Sequence, residues 1–205
     1  MARSKYSSNV FINCPFDPQY KLLFESIVFA ISACGCRPRC ALEIDDASEV
    51  RIDKIFRIIE DCKFGVHDIS RTEPSPKSGL PRFNMPLELG MFLAAKKYGI
   101  GRQKKKACLI LDSAAFRYQQ FISDIAGQDI QVHENEPRKA ITTVRNWLRN
   151  SLPLGNLPGG TDIFNKYEQF EQDLPELCDK IKVAREDFTF NDLAFIIFHW
   201  LKTNE

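Results

Sequence analysis

The chain has 205 residues, 44% hydrophobic and 27% charged, which suits one globular domain with an extension, or at most two small domains. Its 28 Lys and Arg against 27 Asp and Glu leave a formal net charge of +1, which argues against a globally basic nucleic-acid binder and against an acidic solvating chain. No apolar run approaches the ~18 residues needed to span a bilayer, and polar Met1 to Asn9 lacks the apolar stretch of a secretion signal. A cytoplasmic protein without membrane contact is therefore expected. Its seven cysteines read as reduced thiols. Cys34, Cys36 and Cys40 lack a second cysteine pair or histidine at zinc-site spacing, so they read as buried structural residues, with no metal site.

In chain order, Val10 to Asn13 is a short apolar run and predicts a buried first strand. Asp17 and Pro18 then suit a helix start. Leu23, Phe24, Ile27, Val28 and Ile31 give the helix over Tyr20 to Ala33 an apolar face, and Gly35 closes it. Arg39 to Ile44 predicts a second strand. Arg51 to Cys62 predicts a helix with Ile52, Ile55, Phe56 and Ile59 inward, and Phe64 to Ile69 a third strand. Ser70 to Asn84 has several prolines and no period, which marks a long and functional loop. Pro86 opens a helix running to about Tyr98, closed by Gly99 and Gly101. Ala107 to Asp112 is a strongly apolar fourth strand. A short helix over Phe116 to Ile125, a fifth strand over Asp129 to His133 and a helix over Pro137 to Asn150 follow.

The Pro- and Gly-rich stretch Leu152 to Gly160 marks a linker or long turn. Thr161 to Arg185 predicts a helix interrupted near Pro175, and Thr189 caps a last helix over Phe190 to Lys202. The division is then an α/β domain over 1–150 and a C-terminal helical extension over 151–205, packed on the domain or open to a partner protein. Strands alternating with helices imply a five-stranded parallel sheet of order 2-1-3-4-5. Its ligand crevice opens between the carboxyl ends of strands 1 and 3. Asn13 to Asp17 and His67 to Arg71 lie there.

Within Pro81 to Lys96, Glu88 is placed in the first turn of the helix after strand 3, where the helix dipole favours its ionised form. Such a carboxylate can trap or stabilise a sugar cation in glycosyl transfer, or it can simply charge a helix start. Gly90 allows close approach to it. Arg71 and Arg82 are candidates for a nucleotide phosphate, or else solvated loop charges, with Asn84 beside them. His67 is either a general acid or a packed strand residue. The run Lys96, Lys97, Arg102, Lys104, Lys105 and Lys106 reads as a solvated helix end, because no aromatic platform is interleaved with it. No phosphate-loop, dinucleotide-fingerprint or nucleophile-elbow pattern occurs.

The Glu88-Leu89-Gly90 step in a helix after strand 3 resembles the signature of nucleoside 2-deoxyribosyltransferases, and Asn13-Cys14-Pro15-Phe16-Asp17 looks like that family's substrate loop. The opening Val10-Phe11-Ile12 is similar to the start of TIR domains. The resemblance spans about residues 9 to 135. It implies a flavodoxin-like three-layer α/β fold, with Glu88 as catalytic residue. Asn13, Pro15, Phe16, Asp17, Asp68, Arg71, Arg82 and Asn84 would contact the substrate. It further implies cleavage of the N-glycosidic bond of NAD, in the manner of a prokaryotic immune effector working as a homo-oligomer. NAD would be the substrate, and no cofactor is expected. The alternatives are a non-catalytic nucleotide-sensing or assembly module and a deoxyribosyltransferase.

Overall fold

The computed structural model describes residues 5–74, 79–152 and 157–204. A short helix α1 (Lys5–Ser8) leads into β1 (Asn9–Asn13), α2 (Lys21–Ala33), β2 (Arg37–Cys40), α3 (Arg51–Glu60) and β3 (Phe64–Asp68). Then come α4 (Asn84–Tyr98), β4 (Ala107–Asp112), β5 (Ile130–Val132), α5 (Pro137–Ser151), α6 (Gly160–Ile181) and α7 (Phe190–Thr203). The five strands pair parallel in the order β2-β1-β3-β4-β5. This is the doubly wound, flavodoxin-like arrangement, and the order reverses between β1 and β3.

Alternation along β1 builds the layers. Val10 and Ile12 pack into one core with α2, α5, α6 and α7, while Phe11 packs on the other face with Ile55, Ile58, Ile59 and Phe92 of α3 and α4. The first core is aromatic: Phe29 meets Tyr167, Phe170 and Trp200 at ring-centroid separations of 5.4 to 5.9 Å. The C-terminal helices thus share their apolar side chains with α2. No helix among the described residues is long and apolar enough to cross a membrane.

Several expectations are corrected. The second strand covers Arg37–Cys40, not Arg39 to Ile44, because its register against β1 ends at Ile12↔Cys40. The chain then turns, with Glu43 N donating to Cys40 O and Glu43 ion-paired to Arg39. In α3 the buried stripe is Ile55, Ile58 and Ile59; Phe56 is half exposed. The helix rotates this way because Lys54 is buried and donates to Ile44 O at 2.6 Å. Phe116 to Ile125 forms two 3-10 turns, Arg117–Gln120 and Ser123–Ile125, after Phe116 enters the left-handed region at φ 59°. Helix α6 runs through Pro175 without interruption. Ile163, Tyr167, Phe170 and Leu174 before the proline, and Leu177 and Cys178 after it, keep α6 on the core across the missing N–H. Pro76 in the loop, and Pro153 and Gly155 in the linker, lie outside the described residues.

Candidate functional site

The crevice floor is a network of buried polar groups. Asn13, the last residue of β1, is in register with His67 of β3. Its amide Nδ2 donates to Met85 O at 2.8 Å and to His67 Nδ1 at 3.1 Å. One side chain thereby joins the end of β1, β3 and the start of α4. Burial, aided by the nearby Lys106 ammonium, pushes the His67 pKa down to about 3, so the imidazole is neutral. With Nδ1 accepting, the proton sits on Nε2. That nitrogen has no hydrogen-bond partner and lies by the Phe92 ring, with ring centroids 4.9 Å apart. A Cβ on Gly65 would stand 2.6 Å from His67 Nε2 and 2.9 Å from Phe92, so glycine is what lets the imidazole lie across β3. His67 is a packed strand residue.

Asp68 is fully buried. Tyr20 Oη donates to its Oδ2 at 2.5 Å and Ser70 N to its Oδ1 at 2.8 Å. His133 Nε2 lies 2.9 Å from Oδ2 but outside hydrogen-bond alignment, and His133 Nδ1 accepts the Asn135 N–H at 2.9 Å. Burial alone would raise the Asp68 pKa; the His133, Ser70 and Tyr20 contacts outweigh it and hold the carboxyl below its usual range. The Tyr20, Ser70 and His133 contacts tie the entry to α2 and the segment after β5 to the end of β3. Arg117 clamps the neighbouring loop, donating to Asp112 Oδ1 at 2.8 Å, Ile69 O at 2.6 Å and Thr72 Oγ1 at 3.0 Å.

Glu88 stands apart from that network. Helix α4 begins at Asn84, so Glu88 lies in the second turn, and the expected dipole-stabilised carboxylate of the first turn is corrected. The residue is only 7% exposed. Burial pushes its pKa up to about 7, with Arg51 at the start of α3 opposing. Its charge is felt at the buried thiols of Cys14, after β1, and Cys40, at the end of β2. Glu88 thus belongs to the β1 and β2 side of the crevice. A carboxyl group with its pKa raised toward neutrality is suited to accept and return a proton. A Cβ on Gly90 would meet nothing within 4 Å, so no close approach depends on that glycine.

Of the remaining predicted residues, all but Asn84 fall into two adjoining cavities, neither of which Glu88 lines. Arg71, Arg82 and Asp17 line one of about 520 Å³. Pro15 and Phe16 line another of about 380 Å³, and Asp17 and Pro18 belong to both. Asp17 Oδ1 also accepts the Tyr20 N–H at 3.1 Å, one turn ahead of α2. Asn84 is exposed as the first residue of α4. Tyr20, Arg117 and His133 are the participants that sequence reasoning missed. Asp68 lies 48 residues from Tyr20 and 65 from His133, and Arg117 reaches Ile69, 48 residues away, as well as nearby Asp112, so the long-range ties are not announced by the local pattern.

No family model matches the chain, and no curated protein matches it. Among solved structures it is similar to the diflavin flavoprotein A3 from Nostoc sp., at 15% identity and a TM-score of 0.41, over 73% of this chain and 97% of that one. That neighbour's name runs against the expectation of a crevice without a cofactor, and the expectation is withdrawn. A flavin phosphate at the end of β1 would meet Pro15, Pro18 and the Asp17 carboxylate, and both nearby arginines already face Asp17. That arrangement does not fit a phosphate cradle on β1, and no step below involves a flavin.

Proposed function

We propose that the chain is a nucleotide-binding protein that cleaves an N-glycosidic bond, with NAD as its substrate and Glu88 as its catalytic residue. The observation that carries this reading is Glu88 itself: a nearly buried carboxyl group on the β1 and β2 side of the crevice, with its pKa raised to about 7 by burial and Arg51 opposing that rise. In the proposed reaction the C1′–N bond breaks and its electron pair leaves with nicotinamide. Ionised Glu88 faces the ribosyl cation, water adds at C1′, and Glu88 takes the proton released. The fixed floor of Asn13, His67 and Asp68 supports the loop after β1, so that the carboxyl group and the sugar meet in a set geometry. The E-L-G and N-C-P-F-D motifs, which resemble deoxyribosyltransferases, and the V-F-I opening, which resembles TIR domains, support the same reaction class. Self-association as the activating step belongs to that resemblance.

The test is nicotinamide release from NAD by the purified chain beside Glu88→Gln. A second reading, a nucleotide-sensing module without turnover, is favoured by the two cavities that Glu88 does not line. It predicts ligand-induced thermal stabilisation that Glu88→Gln leaves intact, and no nicotinamide from either protein. Base exchange between deoxynucleosides without NAD loss would assign the chain to the transferase chemistry instead.

A further inference from the structure

The run of cations from Lys96 to Lys106, read in sequence as a solvated helix end, takes a definite shape in the structure. It forms a knob where the chain leaves α4 and enters β4, at the amino ends of the strands and so at the pole opposite the crevice. A Cβ on Gly99, which ends α4, would stand 2.3 Å from Ala95 O and 2.6 Å from Gln103 Cβ. Gly101 takes a left-handed φ of 56° and opens a 3-10 turn, Gly101–Lys105. Gln103 Nε2 donates to Glu60 O at 3.0 Å and Tyr6 Oη to Arg102 O at 2.6 Å, which ties the turn to the end of α3 and to α1. Lys106, buried beneath the knob, donates to Ile59 O at 2.5 Å and to Cys62 O.

This bracing holds two apolar side chains out in water. Tyr98 and Ile100 are 82% and 83% exposed, the most exposed large apolar residues among those described. Exposed cations flank them along the chain: Lys96 and Lys97 before, and Arg102, Lys104 and Lys105 after. Arg102 has long surface contacts of 3.6 Å to Asp61 and 3.9 Å to Glu60. The four lysines have no ion pair among the described residues. In a chain of net charge +1, positive charge is thus concentrated at this pole. Apolar area and side-chain type decide which anionic partner suits it. Tyr98 and Ile100 together offer roughly 300–400 Å², about half of the ~800 Å² a side that a stable protein interface buries. A single-stranded nucleic acid would stack on Tyr98 and leave Ile100 in water. An anionic bilayer uses both, with tyrosine at headgroup level, isoleucine at the acyl boundary and the lysines on lipid headgroups. Lysine, a hydrated point charge, also suits a diffuse anionic surface better than a bidentate partner.

We propose that this knob is a peripheral docking surface for an anionic lipid bilayer, with Tyr98 and Ile100 inserted and Lys96, Lys97, Lys104 and Lys105 on the headgroups. The expectation of no membrane contact came from the lack of a spanning run, which a contact made at one surface does not need. Docked this way, the crevice at the carboxyl ends of the strands faces away from the bilayer. The surface uses no residue of the crevice, so it goes beyond the glycosidic reading and stands or falls separately from it. The test is co-sedimentation of the full chain with phosphatidylcholine vesicles carrying 0, 20 or 40% phosphatidylserine, at about 0.1 M salt. Binding should be absent on phosphatidylcholine alone and rise steeply with phosphatidylserine. Lys104→Gln and Lys105→Gln should each weaken it about fivefold, and the pair together about twentyfold. Ile100→Ser should weaken it about tenfold and leave its salt dependence unchanged. All three side chains are on the surface, and an unchanged circular dichroism spectrum checks that each variant folds. Equal binding with and without phosphatidylserine would overturn the proposal. So would binding that ignores Ile100→Ser or the paired lysine variant, or no binding at 40% phosphatidylserine. Tighter binding to oligothymidylate or to polyglutamate than to the vesicles, indifferent to Ile100→Ser, would assign the knob to a nucleic acid or an acidic protein and overturn it equally.

Discussion

Replacing Glu88 by Gln should stabilise the protein in proportion to pH. The Glu88 pKa rises from 4.5 to about 7 on folding because burial disfavours the charged form. Between those two values the folded chain holds a proton that the unfolded chain has lost, so native stability falls as pH rises through this window. At ~1.4 kcal/mol for each tenfold change in proton affinity, the full cost above pH 7 is about 3 kcal/mol. Glutamine has nearly the same shape and no charge, so Glu88→Gln avoids that cost. The variant and the native chain should be close in stability at pH 4. By pH 8 the variant should lead by about 3 kcal/mol, or roughly 6–12 °C in Tm at ~2–4 °C per kcal/mol for a chain of this size. Urea unfolding at pH 4, 6 and 8 measures the difference directly. An offset that stays constant with pH, or a variant that loses stability at pH 8, would refute the burial argument and remove the physical basis for Glu88 as a proton-handling group.

Other outcomes follow from the crevice floor. The His67 ring signals should stay constant from pH 8 down to pH 5 in NMR, since burial holds its pKa near 3; a transition near pH 6.5 would contradict its neutral, packed state. Because unfolded histidine takes up a proton below about pH 6.5 and folded His67 does not, His67 also withdraws stability as pH falls through that range. Gly65→Ala should destabilise by about 1–3 kcal/mol in urea, because the added Cβ meets His67 Nε2 at 2.6 Å and the Phe92 ring at 2.9 Å. Tyr20→Phe should cost about 1–3 kcal/mol in urea unfolding by leaving the buried Asp68 carboxylate short of a donor.

The layout of the sheet was legible because its central strands are short apolar runs between helices of clear 3.6-residue period. Val10 to Asn13, Phe64 to Asp68 and Ala107 to Asp112 all fall where the pattern places them. Edges were less legible. β2 borders the sheet and needs no long apolar run, so its length is set by pairing with β1 and by the Arg39–Glu43 turn rather than by its own residues. The start of α4 was misjudged by two residues for a related reason. Proline fits anywhere in a first helical turn, where its missing N–H has no partner to lose, and so Pro86 does not fix the first residue. That small shift moved Glu88 out of the first turn and changed its electrostatics from dipole-stabilised to desolvated. Asp68 is a substrate contact by what the family resemblance implies, and the structure adds its ties within the fold. Its partners Tyr20 and His133 come from distant segments and could not be read locally.

The central claim, a glycosidic bond cleaved at Glu88, is tested most directly by following nicotinamide released from NAD by the purified chain from pH 5.5 to 8.5, at several protein concentrations, beside Glu88→Gln. The account predicts release that rises with pH through about 7 as Glu88 ionises, and at least a hundredfold loss in Glu88→Gln, roughly the share of a positioned acid–base group. Equal release by both proteins, or none by either folded protein at any concentration tested, would contradict it.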